Sequence, residues 1–375
     1  MHYTVHLTKE CSMRCSYCYS PPQSGNAMSS DTAAAAIDFI SRNAAGNTGI
    51  VFFGGEPLLR KDLIIWCIDR CKALEHPSQA YYHFKVSTNG LALDREFIDY
   101  ATGVPLTIAL SIDGDAPAHN THRRSIDGHP TSGPVTDAAR LLLERQPYAP
   151  ALMVITPETV DRYASSLAFL VEEIGFRYVI ASLNYAGAWS DDHLGILKKQ
   201  YLQIAGLYEK WTREERKFYY SPFERVFASR IRGREHVACN RCALGVRQLS
   251  IDPDGTIFPC IQFVRDPEYA IGDVWSGIDE NRRQALSQNA TLTNAACEAC
   301  DYRYRCENSC SCLNWQTTGS LSAVSPVLCE TERILIPVAD RLGEKLYRSK
   351  SPMFMHKQYN PDYPFLSLLE DDADA

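Results

Sequence analysis

The sequence predicts an α/β fold of parallel strands followed by a small cysteine-rich domain, and three observations carry that prediction. Six short apolar runs, Tyr3–Leu7, Gly49–Phe53, His83–Val86, Leu106–Leu110, Ala151–Ile155 and Tyr178–Leu183, each end in small or polar residues. Stretches with helical periodicity separate them. Most of the cysteines crowd into the segment after residue 238 at short spacings. Strand-like runs alternating with helical ones read as βαβ units, closed into a barrel or left as an open sheet. In either form ligands gather at the carboxyl ends of the strands.

Tyr3–Leu7 alternates and is rich in β-branched residues, so it reads as a first strand. The loop leaving its C-terminal end carries Cys11-Ser-Met-Arg-Cys15-Ser-Tyr17-Cys18, three thiols that can all point inward from one loop. Thiolate is the usual ligand of iron–sulfur clusters, and a four-iron cube takes four of them. Three leave one iron open to another ligand. A three-thiol zinc site or three core cysteines compete, although a zinc ribbon would present paired C-x₂-C knuckles here. Ser30-Asp31 can cap a helix running through Ala33–Arg42. The second strand, Gly49–Phe53, ends at Gly54-Gly55-Glu56-Pro57. Two glycines let backbone approach a ligand closely, and Glu56 offers an acceptor for a cation.

Lys61–Leu74 reads as a helix with Leu63, Trp66, Cys67, Arg70 and Leu74 on one face. Cys67 and Cys71 lie one turn apart; they read as small hydrophobes facing a core, with a shared metal as the competing reading. The third strand leads into Ser87-Thr88-Asn89-Gly90 and the fourth into Ser111-Ile-Asp113-Gly114. His119-Asn-Thr-His-Arg123-Arg124 follows, either a ligand-binding loop or a solvated basic turn. Helices are expected over Thr136–Glu144 and Val160–Ile174. Tyr201–Arg232, rich in charge and aromatics, reads as an amphipathic helix or pair bridging two domains, with a peptide-binding surface as the alternative.

The second cysteine constellation reads C-x₂-C from Cys239 to Cys242, then Gly255-x₄-Cys260, then Cys297-x₂-Cys300-x₅-Cys306-x₃-Cys310, and last Cys329. Leu249–Ile251, Asp252-Pro-Asp-Gly255 and Thr256–Phe258 spell a tight hairpin that puts Cys260 just past its second strand. Cys312 is left over. Zinc knuckles compete at these spacings. The expected division is residues 1–200 as the α/β domain, 201–236 as a bridge, 237–345 as the cysteine domain and 346–375 as an acidic tail.

The whole chain bounds its function. The 375 residues, 45% hydrophobic, suffice for a sizeable core. A net charge of −7 gives no basic footprint, which argues against a nucleic-acid partner. No run approaches eighteen apolar residues, so no membrane span is expected. His2, His6, Lys9 and Glu10 interrupt any signal-peptide core. Clustered cysteines without such a signal point to metal ligands in a reducing cytoplasm.

The C-x₃-C-x-Tyr-C loop followed by Gly-Gly-Glu-Pro resembles the radical S-adenosylmethionine (SAM) superfamily. The later cysteines are similar, one by one, to its SPASM extension. The resemblance implies a partial (β/α)₆ barrel and a small cysteine domain with a β-hairpin. It implies three [4Fe-4S] clusters. Cys11, Cys15 and Cys18 would hold the cluster that binds SAM, with Tyr17 in the same motif. Cys239, Cys242, Cys260 and Cys310 would hold a first auxiliary cluster, with Cys312 open as a replacement for Cys310. Cys297, Cys300, Cys306 and Cys329 would hold the second. Gly54, Gly55, Glu56 and Pro57 would meet the SAM ammonium, Ser87, Thr88 and Asn89 its ribose, and Ser111 and Arg123 its carboxylate. The implied reaction is SAM cleavage to a 5′-deoxyadenosyl radical that abstracts a hydrogen from a peptide or protein, with an external flavodoxin- or ferredoxin-type electron donor. Crosslinking maturation of a ribosomally made peptide is the leading expectation. Sulfatase-maturase-like formylglycine formation and small-molecule dehydrogenation are alternatives, and a non-catalytic electron carrier is the reading from another class. The sulfatase branch places an Asp base directly after the cysteine matching Cys260, whereas this chain reads Cys260-Ile261-Gln262. With only ten residues before Cys11, no leader-binding domain is expected in front, so a separate recognition protein or direct docking would serve. The catalytic base is not identified.

Overall fold

The computed structural model describes residues 1–20, 24–44, 46–78, 80–231, 244–290, 295–307 and 310–363. Six strands, β1 (His2–Thr8), β2 (Gly46–Gly54), β3 (Ala80–Thr88), β4 (Leu106–Ser111), β5 (Pro150–Ile155) and β6 (Tyr178–Leu183), pair in sequence order and all run parallel. A two-residue β7 (Tyr219–Tyr220) extends them beside β6. Val5, Leu7, Ile50, Phe52, Phe84 and Val86 are buried, as expected where helices cover a parallel sheet. The polar residues ending these strands therefore share one edge of the sheet.

The crossovers carry α1 (Ser30–Asn43), α2 (Lys61–Ser78), α3 (Arg95–Thr102), α4 (Ala116–His122), α5 (Ser132–Leu143) and α6 (Tyr163–Ala168). Ser29, one residue before the expected cap, closes the start of α1 by accepting from the Thr32 amide at 3.0 Å. The buried face of α2 is Leu63, Ile64, Cys67, Ile68 and Cys71, while Trp66 and Arg70 point outward, so the expected stripe is rotated by about one residue. Cys67 and Cys71 are core side chains. The stretch expected as one helix from Val160 divides into a 3₁₀ turn (Pro157–Arg162), α6 and a π-helical turn (Phe169–Ile174). Gly175, at φ +94°, ends it in the left-handed conformation that glycine adopts without strain.

The cysteine-rich segment opens with β8 (Gln248–Ile251) and β9 (Thr256–Phe258), the expected hairpin. β8 also pairs in parallel with β1, from His2↔Gln248 to Val5↔Ile251. With β10 (Gly272–Asp273) and β11 (Gly277–Ile278) antiparallel beyond, the described residues form one sheet of eleven strands. Lys9 and Asp252, just past the paired ends, form an ion pair of 2.6 Å.

α7 (Asp191–Arg213) and α8 (Ser221–Ile231) make the helical bridge, the first starting ten residues before the aromatic-rich stretch. The cysteine segment continues through α9 (Glu280–Asn289), α10 (Ala295–Glu298), α11 (Ser311–Thr318) and α12 (Pro326–Arg348). Two Arg–carboxylate pairs, each joined by two hydrogen bonds, lock it onto the bridge and the last long helix. Arg225 of α8 holds Glu332 at 2.7 and 2.8 Å, and Arg305 holds Asp340 at 2.7 and 2.6 Å. Within the segment expected as a tail, α13 (Pro352–Tyr359) packs back on α7 and α8, where Lys357 pairs with Glu224. No helix among the described residues is long and apolar enough to cross a membrane.

Candidate active site

A cavity of about 1000 Å³ opens at the carboxyl ends of the parallel strands. One end is lined by Cys11, Cys15, Tyr17 and Cys18, by Gly54 and Gly55, by Ser87, Thr88 and Asn89, and by Ser111 and Arg123. Residues from four strand ends and an intervening loop, separated by as many as 112 positions, thus line one cavity. The lining also takes in Asn184 and Tyr185 after β6 and, from the cysteine-rich segment, Gln262, Arg265, Asp266, Leu313, Trp315 and Gln316. Glu56 and Pro57 are not among the lining residues.

The thiol loop is held by its neighbours. Arg14 and Ser16 donate backbone hydrogen bonds to the Arg124 and His122 carbonyls, and Ile126 donates to Ser12. The Met13 amide and Asn89 Nδ2 point at Cys11 Sγ from 3.4 and 3.5 Å. Burial pushes the Cys15 thiol up to about 11, against the pull of the Arg123 guanidinium. Burial also raises Cys11, partly countered by the Met13 amide. Such thiols ionise readily only with a cation between them, which a coordinated metal supplies.

Glu56 is fully buried and its carboxylate is committed. Oε1 accepts from the Leu58 amide at 2.9 Å and the Thr88 hydroxyl at 2.7 Å, and Oε2 accepts from the Asn89 amide at 2.7 Å. It clamps the turn after β2 to the turn after β3, fixing the two cavity-lining loops to each other. Gly55 owes its identity to packing: a Cβ there would lie 2.1 Å from the Glu10 carbonyl oxygen, immediately before Cys11.

Arg123 is 7% exposed, with its Nε 2.9 Å from Asp113 Oδ2 and its guanidinium 5.5 Å from the Tyr17 ring centre. The Tyr17 hydroxyl donates to the same Asp113 oxygen at 2.5 Å, while the Val154 amide donates to the other at 3.0 Å. Burial drives the Tyr17 phenol well above its usual range, so it stays a donor. Asp113 is the residue that sequence reading left without a role. Its signal in the sequence is a carboxylate at a strand end, ten residues before an arginine. His122, another, bridges Ser16 Oγ at 2.5 Å and Thr156 Oγ1 at 2.7 Å, tying the thiol loop to the end of β5.

Among the later cysteines, Cys260, Cys310 and Cys312 come together, with the Cys312 thiol hydrogen-bonded to both others. Those contacts hold Cys260 and Cys310 below the usual thiol range and push Cys312 well above it. Cys329 stands within electrostatic reach of Cys297 and Cys300. Cys306 lies with Tyr302 against the main core. Cys239 and Cys242 lie outside the described residues. No three His, Cys, Asp or Glu among the described residues form a ready-made site for a single metal ion. The donor set at the cavity is all sulfur, three thiols on one loop, which fits a multi-iron cluster better than a mononuclear ion.

Residues 5–170 match the family profile of the radical SAM superfamily. The cysteine-type anaerobic sulfatase-maturating enzyme of Clostridium perfringens (strain 13 / Type A) is 21% identical over 323 residues, spanning 80% of this chain and 85% of that protein. A solved structure of anSMEcpe with bound AdoMet and Cp18Cys peptide superposes with a TM-score of 0.77 at 17% identity, covering 92% of this chain and 99% of the other. Streptococcus suis SuiB bound to precursor peptide SuiA superposes with a TM-score of 0.62 at 15% identity, covering 87% and 75%. At such identities the superpositions establish the fold.

Proposed function

We propose that this radical SAM enzyme acts on a peptide or protein, removing a hydrogen atom from one residue and leaving it two electrons more oxidised. A single cavity carries the reading: it joins the three-thiol loop to a polar wall contributed by the cysteine-rich segment, leaving room for a cofactor and a substrate side by side. The matched relatives add support, since two of the superposed structures hold peptides.

Cys11, Cys15 and Cys18 would hold a four-iron cluster with one iron left for SAM. When bound, that pair supplies a 5′-deoxyadenosyl radical, chemistry that belongs to the cofactor while the protein aims it. The chain's own part is positioning. Arg123, fixed by Asp113 and Tyr17, presents a cation to a carboxylate. Gly54 and Gly55 let the end of β2 pack tightly against the loop that carries the thiols, and Ser87, Thr88, Asn89 and Ser111 line the same end with hydroxyl and amide groups. Cys260 and Cys310 with Cys239 and Cys242, and Cys297, Cys300, Cys306 and Cys329, would hold two auxiliary clusters that carry the surplus electron away. A small external redox protein would reduce the enzyme in the cytoplasm, and a separate recognition protein would present a leader. The chain would divide at residues 200, 236 and 345, with the pairing of β8 on β1 joining the units.

Two outcomes for the oxidised residue each have an observation in favour. Crosslinking is favoured by Ile261, which stands where the sulfatase branch carries its Asp. Formylglycine formation is favoured by the relative that aligns over 80% of the chain. Anaerobically reconstituted enzyme, incubated with SAM, a reductant and candidate peptides, separates them by mass. A new link with loss of two hydrogens supports the first, an aldehyde the second. If deuterium from labelled peptides never reaches 5′-deoxyadenosine, peptide chemistry is the wrong reading.

A further inference from the structure

Both outcomes share one requirement. Forming a thioether, a carbon–carbon bond or an aldehyde (or thioaldehyde) removes from the substrate one hydrogen atom, one electron and one proton. The hydrogen atom would go to the nucleoside radical that bound SAM supplies, and the electron to an iron–sulfur cluster held by the later cysteines. The proton needs a base within reach of the same cavity.

The cavity's titratable lining is short. The three thiols are the cluster's donors, and Arg123 and Arg265 have no proton to gain. Tyr17, Tyr19 and Tyr185 are phenols, which are proton donors at neutral pH. Asp113 and Glu56 are spent on internal hydrogen bonds and lie off the lining. Asp266 is the one carboxylate among the described lining residues.

Its backbone is braced. Asp266 donates to the Phe263 carbonyl at 3.0 Å, and Phe263 is buried between Tyr269 and Trp315 at ring distances of 4.5 and 5.1 Å. One carboxylate oxygen accepts from the Glu268 amide at 3.1 Å, capping the 3₁₀ turn Pro267–Tyr269. No other hydrogen bond to the side chain occurs among the described residues, so its second oxygen is available to a substrate.

Resting on the peptide-oxidation reading, we propose that Asp266, six residues past Cys260 and lining the same cavity as the thiol loop, is the proton acceptor for the substrate. The proton leaves the bond that becomes the crosslink or aldehyde and ends on the Asp266 carboxylate.

Asp266→Asn in the reconstituted full chain tests this. Iron content and SAM affinity should match the parent, and deuterium from labelled peptide should still reach 5′-deoxyadenosine. Product per nucleoside should fall by about 10²-fold, the usual scale of a lost acid–base group. Asp266→Glu should recover part of it, and added formate should raise the yield of Asp266→Ala. An unchanged product-to-nucleoside ratio, or product and nucleoside falling in parallel with peptide affinity, would overturn the assignment. Wild-type enzyme that takes no hydrogen from any peptide would instead remove the functional reading beneath it.

Discussion

At the scale of single residues, the site is governed by what its small and buried groups exclude. Gly55 has no room for a methyl, because the obstructing atoms are the main-chain carbonyls of Lys9 and Glu10, which cannot rotate away. Gly55→Ala should cost about 1–3 kcal/mol, the usual penalty for overpacking. It should also shift the residue before Cys11 and weaken SAM binding. Thermal unfolding and SAM titration measure the two, and a variant normal in both would place the SAM amino group elsewhere. His119 is fully buried between the Asp113 amide and the Thr131 hydroxyl, and burial lowers its pKa to about 4. The unfolded chain takes up that proton near pH 6.5, so the neutral imidazole stabilises the fold above that pH. The contribution, a few kcal/mol, should be lost as pH falls from about 6.5 towards 4. Unfolding free energies of wild type and His119→Gln between pH 7 and 4.5 check it. Equal slopes would mean that other groups carry the acid sensitivity.

At the scale of elements, the decisive contact is the parallel pairing of β8 with β1. It places the hairpin leading to Cys260 beside the strand leading to Cys11. Lys9 and Asp252 close the open end of this ladder, with Asp252 side chain only 6% exposed. Removing the lysine strands a carboxylate that burial already disfavours. Lys9→Met should therefore destabilise by about 2 kcal/mol, more than Asp252→Asn, which leaves no unpaired buried charge. The reverse order in denaturant unfolding would mean that the pair contributes through Asp252 alone. The α2 face carries a second lesson. Trp66 lies outside and Ile64 inside, because burial follows the helix's contact with α1 and β3 rather than the largest side chain.

For the whole molecule, three cysteine sets imply about twelve irons per chain if each holds a cube. Anaerobic reconstitution followed by iron and sulfide analysis reads this number. Replacing Cys11, Cys15 and Cys18 together by Ala should remove about four irons and all SAM cleavage while the rest stay. Stoichiometric zinc with a single cluster's worth of iron would sink the auxiliary assignment. The clamps Arg225–Glu332 and Arg305–Asp340 predict that the remaining metal sites survive in that variant, since they hold the cysteine-rich segment to α8 and α12 independently of the thiol loop.

The sequence by itself determined the strands, the thiol loop, the hairpin and most of the residues that share the cavity with that loop. Those features are local: an apolar run ending in Gly-Gly or Ser-Thr-Asn announces a strand end wherever the chain later folds, and parallel strands bring such ends to one edge. It could not determine that β8 would dock on β1, because a four-residue strand carries no label for its partner. Nor could it reveal that Glu56 faces inward to Thr88 and Asn89, or that Asp113 holds Arg123 and Tyr17, since both depend on loops meeting across the top of the sheet. Asp266 belongs with these. In the sequence it is one carboxylate among 45 acidic residues. It becomes singular only when the cysteine-rich segment meets the ends of the parallel strands, where it is the one carboxylate among the described residues that line the cavity.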